Sequence, residues 1–182
     1  MNTNADIESI KSLIAARETA IVNADAEAAI EPLARDVVVF DLQPPLAFVG
    51  PNARDAEELR GWLKTWKESG PRVEFRESRI LIDGDLGVAY GLSRMRGEKI
   101  EEGAVELWFR TTLVFKRSED DWTIVHEHNS VPMKMDGSGL AAVDLQADAG
   151  GHEAPGRHGD LKHLAVHLAL EFDQADAGDQ LA

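Results

Sequence analysis

The spacing of apolar residues changes period along this chain, and each change marks an element. From Asp6 to Asn23, Ile7, Ile10, Leu13, Ile14, Ile21 and Val22 recur at helical spacing with alanines between them, predicting an amphipathic helix. Asn23-Ala24-Asp25 punctuates it. Asp25 suits the N-cap of a second helix reaching Ala34, with Ala29, Ile30 and Leu33 inward. The run VVVFD, Val37 to Asp41, is β-branched and too short for a helix, so it predicts a buried strand. Gln43-Pro44-Pro45 ends that strand, because neither proline has an N–H for the ladder. Pro51 then opens a third helix to Lys67, in which Leu59, Trp62, Leu63 and Trp66 form one stripe at i, i+3, i+4 and i+7.

From Arg72 onward the period is two. Val73 to Ile82 and Leu86 to Met95 flank the turn signal Asp83-Gly84-Asp85 and predict a hairpin. Gly97 to Gly103 reads as a polar, flexible connection at a pocket mouth. Two more strands follow, Val105 to Lys116 and Trp122 to Pro132. The order helix, helix, strand, helix and a four-stranded meander predicts an α+β fold with helices on one face of a curved antiparallel sheet.

The last hairpin concentrates the chemistry. Alternation along WTIVHEHNSVP places Trp122, Ile124, His126, His128 and Ser130 on one face and Glu127 and Asn129 on the other. In the preceding strand Trp108, Arg110, Thr112 and Val114 share a face. Folding the hairpin symmetrically about Glu119 sets Thr112 against His126, Arg110 against His128 and Trp108 against Ser130. Five polar side chains then meet on one face, an arrangement that a slip of one residue destroys. A strand mixing Trp and Ile with histidines suits a pocket with an apolar end and a polar end.

Composition sharpens this. The chain has 182 residues, 43% apolar with four Trp and six Phe, and carries a formal charge of −14. That is the composition of a folded domain, and such an acidic balance argues against nucleic acid or an anionic membrane as partner. There is no cysteine, which excludes disulfides and thiolate chemistry. MNTNADIESI lacks a basic region followed by an apolar run, and no stretch approaches the ~18 apolar residues of a membrane span. A cytoplasmic protein without a membrane partner is the expectation. From Asp136 onward nine acidic residues face only Arg157 and Lys162, and Gly and Ala dominate as far as Gly159, as in a linker. Asp160 caps an expected amphipathic helix to Asp173, on which His163 and His167 lie four apart. The predicted division is a domain over 1–146 and an acidic extension over 147–182.

With FDLQPPL at Phe40 to Leu46, the Trp62 and Trp66 helix, WFRTT at Trp108 to Thr112 and DWTIVHEHNSVP at Asp121 to Pro132, residues 5 to 145 resemble the SnoaL-like and ketosteroid-isomerase-related proteins of the nuclear-transport-factor-2-like superfamily. The resemblance implies a cone-shaped fold, a strongly bent sheet wrapped around helices with a pocket at one end. It also implies a homodimer through the outer sheet face. It does not imply one chemistry, since relatives include isomerases, cyclases, dehydratases, hydrolases and association modules. The ketosteroid isomerase set of an Asp base with Tyr and protonated Asp donors has no match here, Tyr90 being the only tyrosine.

The expected function is therefore cofactor-independent acid/base catalysis, of isomerase, cyclase or hydratase type, on a small, partly apolar carbonyl or carboxylate compound. His126 and His128 are the candidate proton carriers, and Asp41 would orient a histidine or pair with Arg110. Arg110 would anchor the ligand oxygen, with Thr112 and Ser130 in the same network. Trp62, Trp108 and Tyr90 would enclose the carbon skeleton. A metal is not expected beside Arg110, although His-x-His is a ligand spacing. Two alternatives stand beside this: histidines that only complete a pocket wall, and a non-catalytic binding or association module.

Overall fold

The structure is a computed structural model describing residues 3–68, 70–119 and 121–141. The expected extension beyond residue 146, with its helix and His163 and His167, lies outside the described residues. Residues 131–141 belong to a second compact unit, in which Met133 bridges Ala141 and the Lys134 N–H donates to the Leu140 carbonyl at 2.8 Å.

Three helices precede the meander: α1 (Thr3–Val22), α2 (Ala26–Ile30) and α3 (Ala56–Leu63). Asp25 caps α2, accepting from the Ala28 N–H at 3.0 Å. The second helix is shorter than its sequence pattern predicts, because Leu33 already begins strand β1 (Leu33–Phe40). The third is shorter as well. Gly50–Arg54 is a 3-10 turn, and Asp55 caps α3 by accepting from the N–H groups of Glu57 and Glu58. Residues after Leu63 leave the helix and edge the sheet, with Trp66 bridging Lys99 and the Lys67 N–H donating to the Glu98 carbonyl.

The other strands are β2 (Phe48–Val49), β3 (Arg72–Asp83), β4 (Leu86–Lys99), β5 (Gly103–Ser118) and β6 (Asp121–Ser130). They form one six-stranded sheet in the order β2-β1-β6-β5-β4-β3. The fold is α+β as expected, but the sheet is mixed: β1 runs parallel to β6, while every other neighbouring pair is antiparallel. The stretch from Gly97 to Gly103, expected as a flexible connection, is mostly strand, and β4 pairs with β5 as far as Lys99 opposite Gly103.

One sheet face carries the core. Val37 and Val39, Ala89, Leu113 and Phe115, and Trp122 and Ile124 point to it, and Ile10 of α1 packs among them. Leu13 and Ile14 extend that contact along the helix. Arg117 ties down the start of α1, giving two hydrogen bonds to the Asp6 carboxylate at 2.6 and 3.2 Å while its guanidinium lies 4.5 Å from the Trp122 ring centroid.

The pairing shifts register at three places among the described residues, one of them between Leu33 and Val38 where β1 meets β6; the other two are bulges that bend the sheet. Between Arg76 and Arg79, β3 spends three residues where β4 spends two. In β6 Phe115 pairs with Ile124 but Val114 pairs with His126, so Val125 has no partner on β5. An extra residue in one strand bends it and reverses the direction of every side chain beyond it.

Candidate active site

The bulge at Val125 decides which side chains reach the inner face. Before it, Trp122 and Ile124 point inward and are 5% and 0% exposed. After it, Glu127 and Asn129 point inward, opposite Leu113 and Thr111, while His126, His128 and Ser130 point outward. The hairpin register differs accordingly from symmetry about Glu119. Val114 faces His126, Thr112 faces His128 and Arg110 faces Ser130. The polar side chains do share a face, as alternation requires. It is the outer face, away from Trp122 and Ile124.

Arg110 is exposed and stands across from Leu92 and Ser130. Trp108 and Tyr90 are also outward, with the Arg94 guanidinium 5.7 Å from the Trp108 ring centroid. The two histidines flank Phe40, with ring centroids 4.9 Å away for His126 and 5.7 Å for His128, both edge-on. His126 Nδ1 lies 2.8 Å from the Val38 carbonyl. A carbonyl only accepts, so Nδ1 carries the proton and Nε2 the lone pair of the neutral ring. Trp62 packs edge-on against Trp66 at 5.5 Å, and Trp66 lies against Gly97 on the inner face while Tyr90 and Trp108 are outward, so these four aromatics do not form a single wall. Asp41 has neither Arg110 nor a histidine as partner. Among the described residues no group of three or more His, Asp or Glu is arranged to hold a metal ion.

Asp41 belongs instead to a polar strip on the inner face. Phe40 points outward at the end of β1, so Asp41 turns inward, where its Oδ1 accepts from the Leu42 N–H at 2.8 Å and from Asn129 Nδ2 at 3.3 Å. The same Nδ2 donates to Glu127 Oε1 at 2.9 Å, and Arg17 Nη1 donates to Glu127 Oε2 at 2.7 Å. On the other side of the amide, Thr111 donates to Asn129 Oδ1 at 2.8 Å, and Ser93 Oγ lies 2.7 Å from Thr111 Oγ1. Thr111 has one proton and gives it to Asn129, so Ser93 must be the donor in that contact. The strip is therefore directional, with O–H and N–H bonds running from Ser93 through Thr111 and Asn129 into two carboxylates.

The electrostatics single out Asp41. As a residue Asp41 is exposed, and its carboxyl sits beside the Leu42 N–H and the Asn129 amide, with the Glu127 and Arg17 charges nearby. Desolvation pushes the carboxyl above its ordinary value of 3.8, and the Glu127 charge pushes the same way. The bonds from Leu42 and Asn129 and the charge of Arg17 oppose these effects without cancelling them. Glu18 on α1 is raised too, chiefly by burial, and its Oε1 accepts from the Phe75 N–H at 2.6 Å.

Of this strip, only Asp41 was expected from sequence. Arg17 did leave a signal, since it falls three or four residues after Leu13 and Ile14 on the apolar stripe that includes Ile10, where a cation needs a buried anion. Glu127 and Asn129 left none, because the alternation that places them outward ignores the bulge. Ser93 and Thr111 read as ordinary strand residues until the fold brings them together.

A profile of the SnoaL-like domain matches residues 10–134. No curated protein matches the sequence. Among solved structures, an NTF2-like protein of unknown function from Pseudomonas putida is 28% identical, with a TM-score of 0.68 over 80% of this chain and 99% of its own. A protein from Novosphingobium aromaticivorans, provisionally assigned as a scytalone dehydratase, superposes with a TM-score of 0.64 at 12% identity over 79% and 95% of the two chains. A protein from Xanthomonas campestris, provisionally assigned as a calcium/calmodulin dependent protein kinase II association domain, gives 0.57 at 16% identity over 66% and 84%. The last two likenesses concern the fold alone. By its sequence match and its bent α+β sheet, this chain belongs to the SnoaL-like domain family, within the NTF2-like fold.

Proposed function

We propose that this protein binds a small, partly apolar molecule against the inner-face strip and moves a proton on it without a cofactor, with Asp41 as the proton-carrying group. The observation behind this is the Asp41 carboxyl, held by Asn129 and Leu42 and raised from its ordinary value by desolvation and by Glu127. A carboxylate so raised is a stronger base than one in water, and once protonated it is a usable acid nearer neutral pH. Isomerisation and dehydration both need such a group, to take a proton from carbon beside a carbonyl and return it to carbon or to a leaving hydroxyl.

A substrate-independent assay tests it. Carbonyl and hydroxycarbonyl compounds incubated in D2O with the protein should include some that take up solvent deuterium beside the carbonyl, followed by proton NMR. Asp41→Asn should abolish the exchange. Exchange that persists in Asp41→Asn removes Asp41 from the mechanism.

The second reading is association. Phe40, Leu81, Leu86 and Tyr90 are large apolar side chains that are 38–60% exposed, and pairing partners place them on the outer face. We propose that this face meets a second copy of the chain, leaving the inner strip available to ligand. Sedimentation should show a dimer that Leu81→Glu disrupts. If no compound exchanges deuterium while the dimer persists, the chain is an association module.

A further inference from the structure

Asn129 presents a single amide nitrogen to two carboxylates, 3.3 Å from Asp41 and 2.9 Å from Glu127. An amide placed this way cannot rotate freely. Its oxygen accepts the Thr111 hydroxyl, and turning it over would set that oxygen against both anions. The Thr111 hydroxyl is committed in turn, because Ser93 supplies the proton it accepts. Ser93 and Thr111 are only 3% and 6% exposed, so water does not readily replace either partner. Glu127 is fixed from its far side by Arg17, which also donates Nε–H to the Ala29 carbonyl at 3.1 Å. Glu127 cannot swing away from the amide without breaking its bond to Arg17 on α1, and Asp41 is held from its own side by the Leu42 N–H.

We propose that Glu127 and Asn129 are positioning residues that act in opposite directions on the proton affinity of Asp41. Glu127 supplies a fixed negative charge that makes a proton on Asp41 more favourable. Asn129 supplies a fixed donor that favours the ionised carboxylate. Arg17 limits the effect of Glu127, and the hydroxyl chain from Ser93 holds the donor in place. The charged groups facing Asp41 are thus Glu127 from β6 and Arg17 from α1, while His126 and His128 lie on the opposite face of the sheet. This deepens the reading of Asp41 as the proton carrier and rests on it for its function, but not for its measurement.

The test is a carbon-13 titration of the Asp41 carboxyl, assigned by its loss in Asp41→Asn, in the full chain and two variants. Glu127→Gln should lower its midpoint, because the neighbouring negative charge is gone. Asn129→Ala should raise it, because a donor to the ionised form is gone. A purely structural role would let water in and lower the midpoint in both variants, so opposite signs are the diagnostic result. Shifts of the same sign, or no shift, overturn the proposal. Should Glu127→Gln fail to fold, Arg17→Gln replaces it and should raise the midpoint by leaving Glu127 without its cation. Deuterium exchange in these variants separates the two claims: loss of exchange only in Asp41→Asn, without the opposed shifts, leaves the proton carrier standing and ends the positioning role.

Discussion

Arg17 Nη1 stands 2.7 Å from Glu127 Oε2, joining the first helix to the last strand across 110 positions of sequence. Their side chains are 26% and 10% exposed, so the pair is largely out of water. Removing one partner leaves the other charge poorly solvated, a larger loss than deleting an exposed pair. Arg17→Met is expected to cost about 2 kcal/mol, the range of a hydrogen bond to a charged group. Urea unfolding checks this, and a loss below about 0.5 kcal/mol would place the pair with ordinary surface contacts.

Asp41 should trade stability for reactivity. Its folded pKa lies above the unfolded one, so the native state holds the proton more tightly. The resulting stabilisation is fully present below the unfolded value near 3.8 and is lost as pH rises through the folded value. Asp41→Asn keeps an oxygen for the Leu42 N–H but carries no charge. It should raise Tm at neutral pH, with the gain fading as pH falls into the ordinary carboxylate range. A gain that is equal at pH 7 and pH 3 would mean that the charge is not what costs stability.

Gly97 and Trp66 meet too closely for any other residue to take the glycine's place. A Cβ there would lie 2.8 Å from Trp66 Cζ3 and 3.0 Å from the Gly70 carbonyl oxygen. Neither neighbour is the free end of a flexible side chain. Gly97→Ala is expected to cost roughly 1–3 kcal/mol, as overpacking does, and to change Trp66 fluorescence. An unchanged spectrum with full stability would show that the Trp66 bridge to Lys99 gives way freely.

The histidines should report on the outer face. His126 should appear in long-range proton–nitrogen spectra as the Nδ1–H tautomer, fixed by the Val38 carbonyl. His126→Ala should lose about 1 kcal/mol with that bond. His126→Gln and His128→Gln should leave deuterium exchange intact, because both side chains stand on the far side of the sheet from Asp41. Exchange that collapses in His128→Gln would bring the outer face back into the mechanism.

Much of the architecture was legible without a fold. The apolar stripe of α1, the Asp25 cap, the Asp83-Gly84-Asp85 turn and the strands from Arg72 onward all follow from local rules, because helix and strand periods are properties of a few neighbouring residues. Alternation also determined that His126, His128 and Ser130 share a face, and that Arg110 and Thr112 share one. What it could not carry was the sense of that face. A single unpaired residue, Val125, reverses it, and a bulge costs too little locally to leave a mark in composition. The tertiary structure settled the matter through distant partners. Arg17 on α1 needed an anion, Val38 on the parallel neighbour offered a carbonyl to His126, and both are met only when Glu127 turns inward and His126 outward. Sequence by itself determined the elements and the grouping of side chains on them. Only the packing of α1 and β1 against β6 decided which group lines the inside, because charged and polar groups out of water must be paired, and their partners here lie about 90 or more residues away in the chain.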